Sequence, residues 1–361
     1  MENLQYKRFA DVDLSDPFFD SLKDSYHEFS DWFRRKAEEY AYVFYGNRGL
    51  IDGFLYLKEE PQVIDDCTPA LSTNINRGWL KVGTLKINAH GTKLGERFIK
   101  KIFDYAITYG FNDIYITVFP KHASLIALFE RYGFRREAKK ITANGTELVL
   151  TRRFDIIDTD VENTNKNYPL VNFRGDDTFQ PQIYLLSLHP QWHTRLLPDS
   201  ILQNEDASIV QDVSPTNSIH KVYLTSMSRI EHLKQGDILF IYRTSDKDGL
   251  AYYRSLVSSV CVVEQYRHIN SFVSYTEFER YCAPYSVFSR GELQQFWQRK
   301  KYLHVFRFSY NIALPKRIIR KDLLEQVGLS EDKYWGFMPL TSQQAQHILR
   351  LGQVNENFVI Y

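Results

Sequence analysis

The chain has 361 residues, and its 45 Lys and Arg against 44 Asp and Glu leave a formal charge of +1, so bulk electrostatics points to neither nucleic acid nor membrane, and the length implies two domains or three. Cys67, Cys261 and Cys282 lie far apart, which excludes a disulfide framework and any metal-ligand spacing, so no metal is expected. The start MENLQYKRFADVDLSD shows no signal peptide and no apolar run nears membrane-spanning length, so a cytoplasmic, membrane-free protein is expected.

Residues 15–39 predict a helix with Ser15 as N-cap and Pro17 in the first turn. YAYVFYG and GLIDGFLYLKEE follow as strands joined at Asn47–Gly49, with alternating apolar side chains. A strand GTLKIN then meets a glycine-bearing turn, HGTKLG, which opens a long amphipathic helix. Leu94, Phe98, Ile102 and Ala106 carry its apolar stripe, while Lys93, Arg97, Lys100 and Lys101 occupy or border the other face. That order aims backbone N–H groups at a helix start, an anion site. DIYITVFP predicts a further strand and ASLIALFERYGF a helix ending at Gly133, before a closing hairpin around Asn144–Gly145. Residues 155–178 turn polar and acidic and read as a linker.

Strands return at 182–188, 221–225, 236–243, 252–268 and 302–310, with helices at 275–282, 290–300, 320–327 and 341–350. Gly236 supplies a turn whose Asp237 can bond the loop backbone. Aromatic residues make up 15% of the chain, and several sit beside cations: Tyr242–Arg243, Tyr253–Arg254, and Trp297 before Arg299, Lys300 and Lys301. Rings that stack on bases and cations that hold phosphate suit a nucleic-acid surface, although many of these tyrosines are expected in a core. Between Arg290 and Lys321 nine Lys and Arg face one acidic residue, a basic stripe that the neutral total conceals. In HPQWHTR, Pro190 argues for a loop, and His189 and His193 lack a third ligand.

The first 154 residues resemble the GNAT N-acetyltransferase family, carried by the ordered set GTLKIN, HGTKLG, DIYITVFP and ERYGF. The resemblance implies an α/β fold with a mixed central sheet, and acetyl-CoA as cofactor, its pyrophosphate over His90, Gly91, Thr92, Lys93, Leu94 and Gly95. His90 and Lys93 depart from the family pattern. By the same resemblance, the backbone N–H groups near Leu85 and Ile87 polarise the acetyl carbonyl, and His122 and Phe129 stand at cofactor-contacting positions. Phe129 replaces the usual acidic tyrosine, which leaves Tyr132 as the candidate acid. Glu59, beside Glu60 at the end of its strand, is the candidate group that steers or deprotonates the amine.

Residues 179–361, through HLKQGDILFIYRTSD and LAYYRSLVSSVCVVEQY, resemble the PUA-like superfamily in its EVE and ASCH branches. This implies an α+β domain built on a small barrel that binds RNA or modified bases. Together the two resemblances imply acetyl transfer to an amine on an RNA-linked acceptor such as aminoacyl-tRNA. Some members with that activity act as toxins, which would add an antitoxin partner, and a homodimer is also expected. Two alternatives stay open: a degenerate GNAT scaffold in a nucleotide sensor, and a protein-lysine acetyltransferase.

Overall fold

The computed structural model describes residues 3–46, 49–73, 77–88, 93–158, 164–175, 179–197, 218–246 and 250–361. The chain divides into two units, Met1–Ile156 and Ile157–Tyr361.

In the first unit the elements run β1 (Asn3–Arg8), α1 (Asp20–Ser25), α2 (Phe29–Arg35), β2 (Tyr40–Tyr45), β3 (Ile51–Glu60), β4 (Trp79–Ile87), α3 (Leu94–Tyr109), β5 (Asp113–Val118), α4 (Ala123–Arg131), β6 (Arg135–Thr142) and β7 (Gly145–Arg153). They form one mixed sheet in the order β1-β2-β3-β4-β5-β7-β6. The parallel pair in it is β4 with β5, matched from Trp79–Asp113 to Val82–Ile116 and no further. Gly83 is the extra residue of a bulge, since Tyr56 pairs with Thr84 and Leu57 with Val82. A Cβ on Gly83 would lie 2.7 Å from the Tyr56 ring, so the bulge needs glycine.

Alternation sorts the side chains of β3. Gly53 abuts Phe98 and Leu94 of α3, while Phe54 and Tyr56 join Phe19, Phe29 and Phe33 under α1 and α2. The single helix expected over 15–39 is broken. The Asp16 carboxylate, not Ser15, caps this segment, accepting the Phe18 N–H at 2.8 Å. Tyr26 then takes an extended backbone, and its ring packs 5.2 Å from Phe119. Tertiary contacts thus override local helical preference. The basic face expected for α3 also fails in part. Arg97 and Lys100 are buried, with the Arg97 guanidinium 4.9 Å from the Phe44 ring centre.

The second unit contains β8 (Ile183–Leu188), α5 (Pro190–Leu196), β9 (His220–Thr225), β10 (Ile238–Arg243), α6 (Ala251–Arg254), β11 (Leu256–His268), α7 (Tyr275–Cys282), α8 (Arg290–Arg299), β12 (His304–Ile319), α9 (Arg320–Glu325), β13 (Phe337–Pro339) and α10 (Ser342–Leu351). Its six-stranded sheet has the order β9-β12-β11-β10-β8-β13. Leu186, Leu239, Ile241, Cys261 and Val305 feed one core. Leu185, Ile238, Phe240, Val260 and Ile318 feed another on the opposite face, so β10 is buried along its whole length. Part of the segment expected as linker is folded: Tyr168, Leu170 and Val171 are buried, and Val171–Asn172 pairs with Val359–Ile360. Pro190, read from sequence as a loop signal, instead occupies the first turn of α5, where its missing N–H costs nothing. Asp237 bonds the loop backbone as expected, accepting the Gln182 N–H at 2.9 Å and the Lys234 N–H at 2.8 Å.

Candidate active site

Where β4 parts from β5, the first unit opens a cavity of about 1130 Å³. Its wall runs from Lys93 and Gly95 at the head of α3, past Val82–Ile87 and Ile116–Phe119 at the parting, to Tyr26, Tyr56, Glu60, Lys81 and Glu147 on the α1/α2 side. The cavity therefore joins the two faces of the sheet through the gap.

The backbone at the gap is oriented by the ladder with β3. Asn88 donates its N–H to the Asp52 carbonyl at 2.8 Å. In an antiparallel ladder N–H directions alternate, so Lys86 and Thr84 also face β3. The N–H groups of Leu85 and Ile87 consequently face the edge that β5 has left, which is the orientation that polarising an acetyl carbonyl requires of them.

At the head of α3, Lys93 holds a left-handed backbone with φ +57°, unusual for a lysine. It directly precedes Leu94, which is buried. A Cβ on Gly95 would come 2.8 Å from the Leu128 methyl, so glycine here lets α3 approach α4. His90, Gly91 and Thr92 lie outside the described residues. His122 lies in the cavity wall at the start of α4, its carbonyl accepting the Leu125 and Ile126 N–H groups at 3.0 Å. Burial, and then the charge of Lys121, hold its imidazole below the usual histidine range.

Three expectations about this site need correction. Phe129 and Tyr132 are fully buried and absent from the cavity wall. Phe129 packs edge-on against Phe134 at 4.7 Å. Tyr132 caps the C-terminal end of α4, about 6 Å along the axis beyond Leu128, the last residue of that helix in the cavity wall. Neither lines the cavity where an acid or a cofactor contact is expected to stand. Glu59 is 56% exposed and loosely paired with Arg77 at 3.8 Å, whereas Glu60 is 16% exposed and lies in the cavity wall. The pleat turns neighbouring carboxylates to opposite faces, and it is Glu60 that shares one with Tyr56.

A second carboxylate was not singled out from sequence. Glu147 of β7 is buried, at 4% exposure, and lies in the cavity wall. It accepts a hydrogen bond from the Tyr26 hydroxyl at 2.6 Å. Burial first, and then this bond, push the Tyr26 phenol up, so the hydroxyl stays protonated as a donor.

The residues expected to bind nucleic acid in the second unit separate into three places. Tyr242 and Arg243 are buried, with Tyr242 packed 5.2 Å from Trp335, so neither belongs to an exposed surface. Tyr253 is exposed on α6, and its neighbour Arg254 is paired with Asp246 at 2.6 Å. At the end of α8, Trp297 packs 5.5 Å from Phe278, and the Lys300 ammonium lies 3.2 Å from its ring centre. Arg299 and Lys301 are exposed beside it. The basic stripe thins elsewhere: Arg307 binds buried Glu264 at 2.7 Å, and Arg320 lies 4.1 Å from the Trp335 ring centre. His193 of α5 is fully buried, its Nε2 2.7 Å from Ser258 Oγ. Among the described residues no cluster suited to a metal occurs, and no helix is long and apolar enough to cross a membrane.

No family model and no curated protein matches this chain. Similar solved structures include a GNAT-family acetyltransferase from Streptococcus agalactiae, at 16% identity, covering 36% of this chain and 75% of that one with a TM-score of 0.27. A chain of the NatC complex bound to Gag peptide and CoA is similar at 16% identity, over 42% of this chain and 98% of that one, with a TM-score of 0.29. An ASCH protein from Zymomonas mobilis is similar at 12% identity, over 47% of this chain and 95% of that one, with a TM-score of 0.31.

Proposed function

We propose that the first unit transfers an acetyl group from acetyl-CoA to an amine. The observation that carries this reading is the parting of β4 from β5 beyond Val82 and Ile116, which leaves the Leu85 and Ile87 N–H groups facing a cavity that crosses the sheet. These residues fit acetyl-CoA: an extended chain has backbone donors to run along, and Lys93 stands at the helix start as a cation for phosphate. When bound, acetyl-CoA supplies the acetyl group as a thioester.

On this reading the Leu85 and Ile87 N–H groups stabilise charge that develops on the acetyl oxygen. Tyr56 and Trp32, both in the wall, shape the acceptor side and help exclude water. Glu147, oriented by Tyr26, receives the proton that the amine nitrogen gives up as it bonds to the acetyl carbon. The sulfur leaves as the carbon–sulfur bond breaks and takes its proton from water, since Phe129 and Tyr132 lie away from the cavity. Proximity supplies the rest of the acceleration.

The test is calorimetric titration of acetyl-CoA into the full chain and into Leu85→Pro. Proline removes one N–H at the gap while the β3 ladder, which that N–H does not serve, stays intact. Saturable binding weakened in the variant supports the site; no binding to the unsubstituted chain overturns it. For the acceptor, the resemblance of the second unit to RNA-binding PUA-like domains favours an amine on an RNA-linked molecule such as aminoacyl-tRNA. Transfer to charged tRNA, set against transfer to a protein lysine, separates those acceptors.

A further inference from the structure

The acceptor side of the cavity carries a charge arrangement that acetyl transfer alone does not require. Lys58 of β3 and Lys81 of β4 are direct cross-strand partners, and both lie in the cavity wall. Like charges placed opposite each other on a sheet are destabilising. Their ammonium groups converge on one oxygen, Glu60 Oε1, at 3.0 Å and 3.8 Å. Lys140 of β6 joins the same face of the sheet and the same wall, its ammonium paired with Asp66. Lys81 and Lys140 are only 19% and 20% exposed. Burial, and then the nearby charge of Lys140, hold the Lys81 ammonium below the usual lysine range.

Across the whole wall, seven lysines face three glutamates. Lys93 stands at the cofactor end; the crowding of Lys58 and Lys81 lies at the other. A half-buried pair of like charges sharing one carboxylate oxygen is relieved by an anion entering between them. Three ammonium groups delivered by three strands act as point charges, and a dianion such as phosphate gains more from them than a singly charged carboxylate does.

We infer that the acceptor of this unit bears a phosphate, held by Lys58, Lys81 and Lys140 at the cavity face where Glu147 meets its amine. This rests on the acetyl-transfer reading above, since it assigns that side of the cavity to the acceptor. The acceptor then enters with its charge fixed at the lysines and its nitrogen directed toward the gap, so the lysines select and orient while Glu147 takes the proton.

The experiment uses O-phosphoethanolamine and ethanolamine, amines that differ by the phosphate alone, titrated calorimetrically into the full chain without acetyl-CoA. The expected result is binding of O-phosphoethanolamine at least about tenfold tighter than ethanolamine, a difference removed in Lys58→Met/Lys81→Met and kept in Lys81→Arg. β-Alanine, a carboxylate in place of the phosphate, is expected to bind more weakly than O-phosphoethanolamine. Equal affinity for the two ethanolamines overturns the inference. So does a preference that survives in the double Met variant, or one that is lost in Lys93→Glu instead, which would put the phosphate at the head of α3. Acetyl-CoA binding, measured separately on the unsubstituted chain and on the Lys58 and Lys81 variants, fails only if the transferase reading fails.

Discussion

The Tyr26 hydroxyl donates to Glu147 Oε1 at 2.6 Å across 121 positions of sequence, joining the break between α1 and α2 to the start of β7. The pair places an oriented, buried carboxylate in the wall of the cavity. Glu147→Gln keeps the shape and the tyrosine contact but cannot take a proton. It is expected to lower kcat for acetyl transfer about a hundredfold while leaving acetyl-CoA affinity unchanged. Tyr26→Phe, which loses only the orientation, is expected to cost under about tenfold. Steady-state kinetics with both substrates varied checks this, and an unchanged kcat in Glu147→Gln would remove Glu147 from the reaction.

The packing of Gly95 yields a stability prediction that is separate from phosphate binding. Gly95→Ala places a methyl 2.8 Å from the Leu128 side chain, so α3 or Leu128 must shift, at a cost of about 1 kcal/mol. Adding Leu128→Ala is expected to relieve the clash and recover part of the loss. Denaturant unfolding of the single and double variants measures the coupling; strictly additive losses would mean that the two residues do not press on each other in solution.

These residues also mark what sequence reading reaches. The elements around the cavity were legible because their signals are local: the glycine-bearing turn before α3, the alternation in β3, the apolar stripe of α3. The helices expected at 275–282 and 290–300 form at Tyr275–Cys282 and Arg290–Arg299, where the structure adds Ser274 and Ser289 as N-caps. Glu147 was not legible, because nothing near it in sequence announces a partner 121 residues away. Glu59 was chosen where Glu60 faces the cavity, an error of one residue on a strand whose pleat reverses the side chain at every step. Tyr132 was misplaced because helical spacing fixes direction around an axis and says nothing of depth. Arg243 has the composition of a phosphate ligand, and only the two-sided burial of β10 shows that it belongs to the interior.

His193 supplies a pH prediction for the second unit. Complete burial, with the charges of Arg243 and Arg317 adding to it, pushes its imidazole from 6.5 down to about 3. In the unfolded chain the group protonates near its ordinary value, so between those limits the unfolded state binds more protons. Stability is therefore whole above about pH 6.5 and falls as pH drops toward 3, with a slope from this one group of up to about 1.4 kcal/mol per pH unit. His193→Gln is expected to flatten that part of the stability-versus-pH curve. Urea titrations between pH 7 and 4.5 test it, and parallel curves for the two proteins would show that His193 does not carry the linkage.

The second unit's surface makes the last distinction. Arg299 and Lys301 are exposed beside the Trp297–Lys300 contact, while Arg243 is 4% exposed in the sheet. If the end of α8 holds RNA, Arg299→Glu/Lys301→Glu weakens binding of a short single strand and reduces the slope of log affinity against log salt by about 1.4, near 0.7 for each phosphate that a cation no longer neutralises. Arg243→Ala is expected instead to lower the unfolding midpoint, because it leaves a cavity where a side chain of 4% exposure was packed. Fluorescence anisotropy across a salt series, paired with thermal melts, separates the two effects. RNA affinity that survives the double reversal places any RNA contact elsewhere, and the exposed ring of Tyr253 on α6 is the next surface to test.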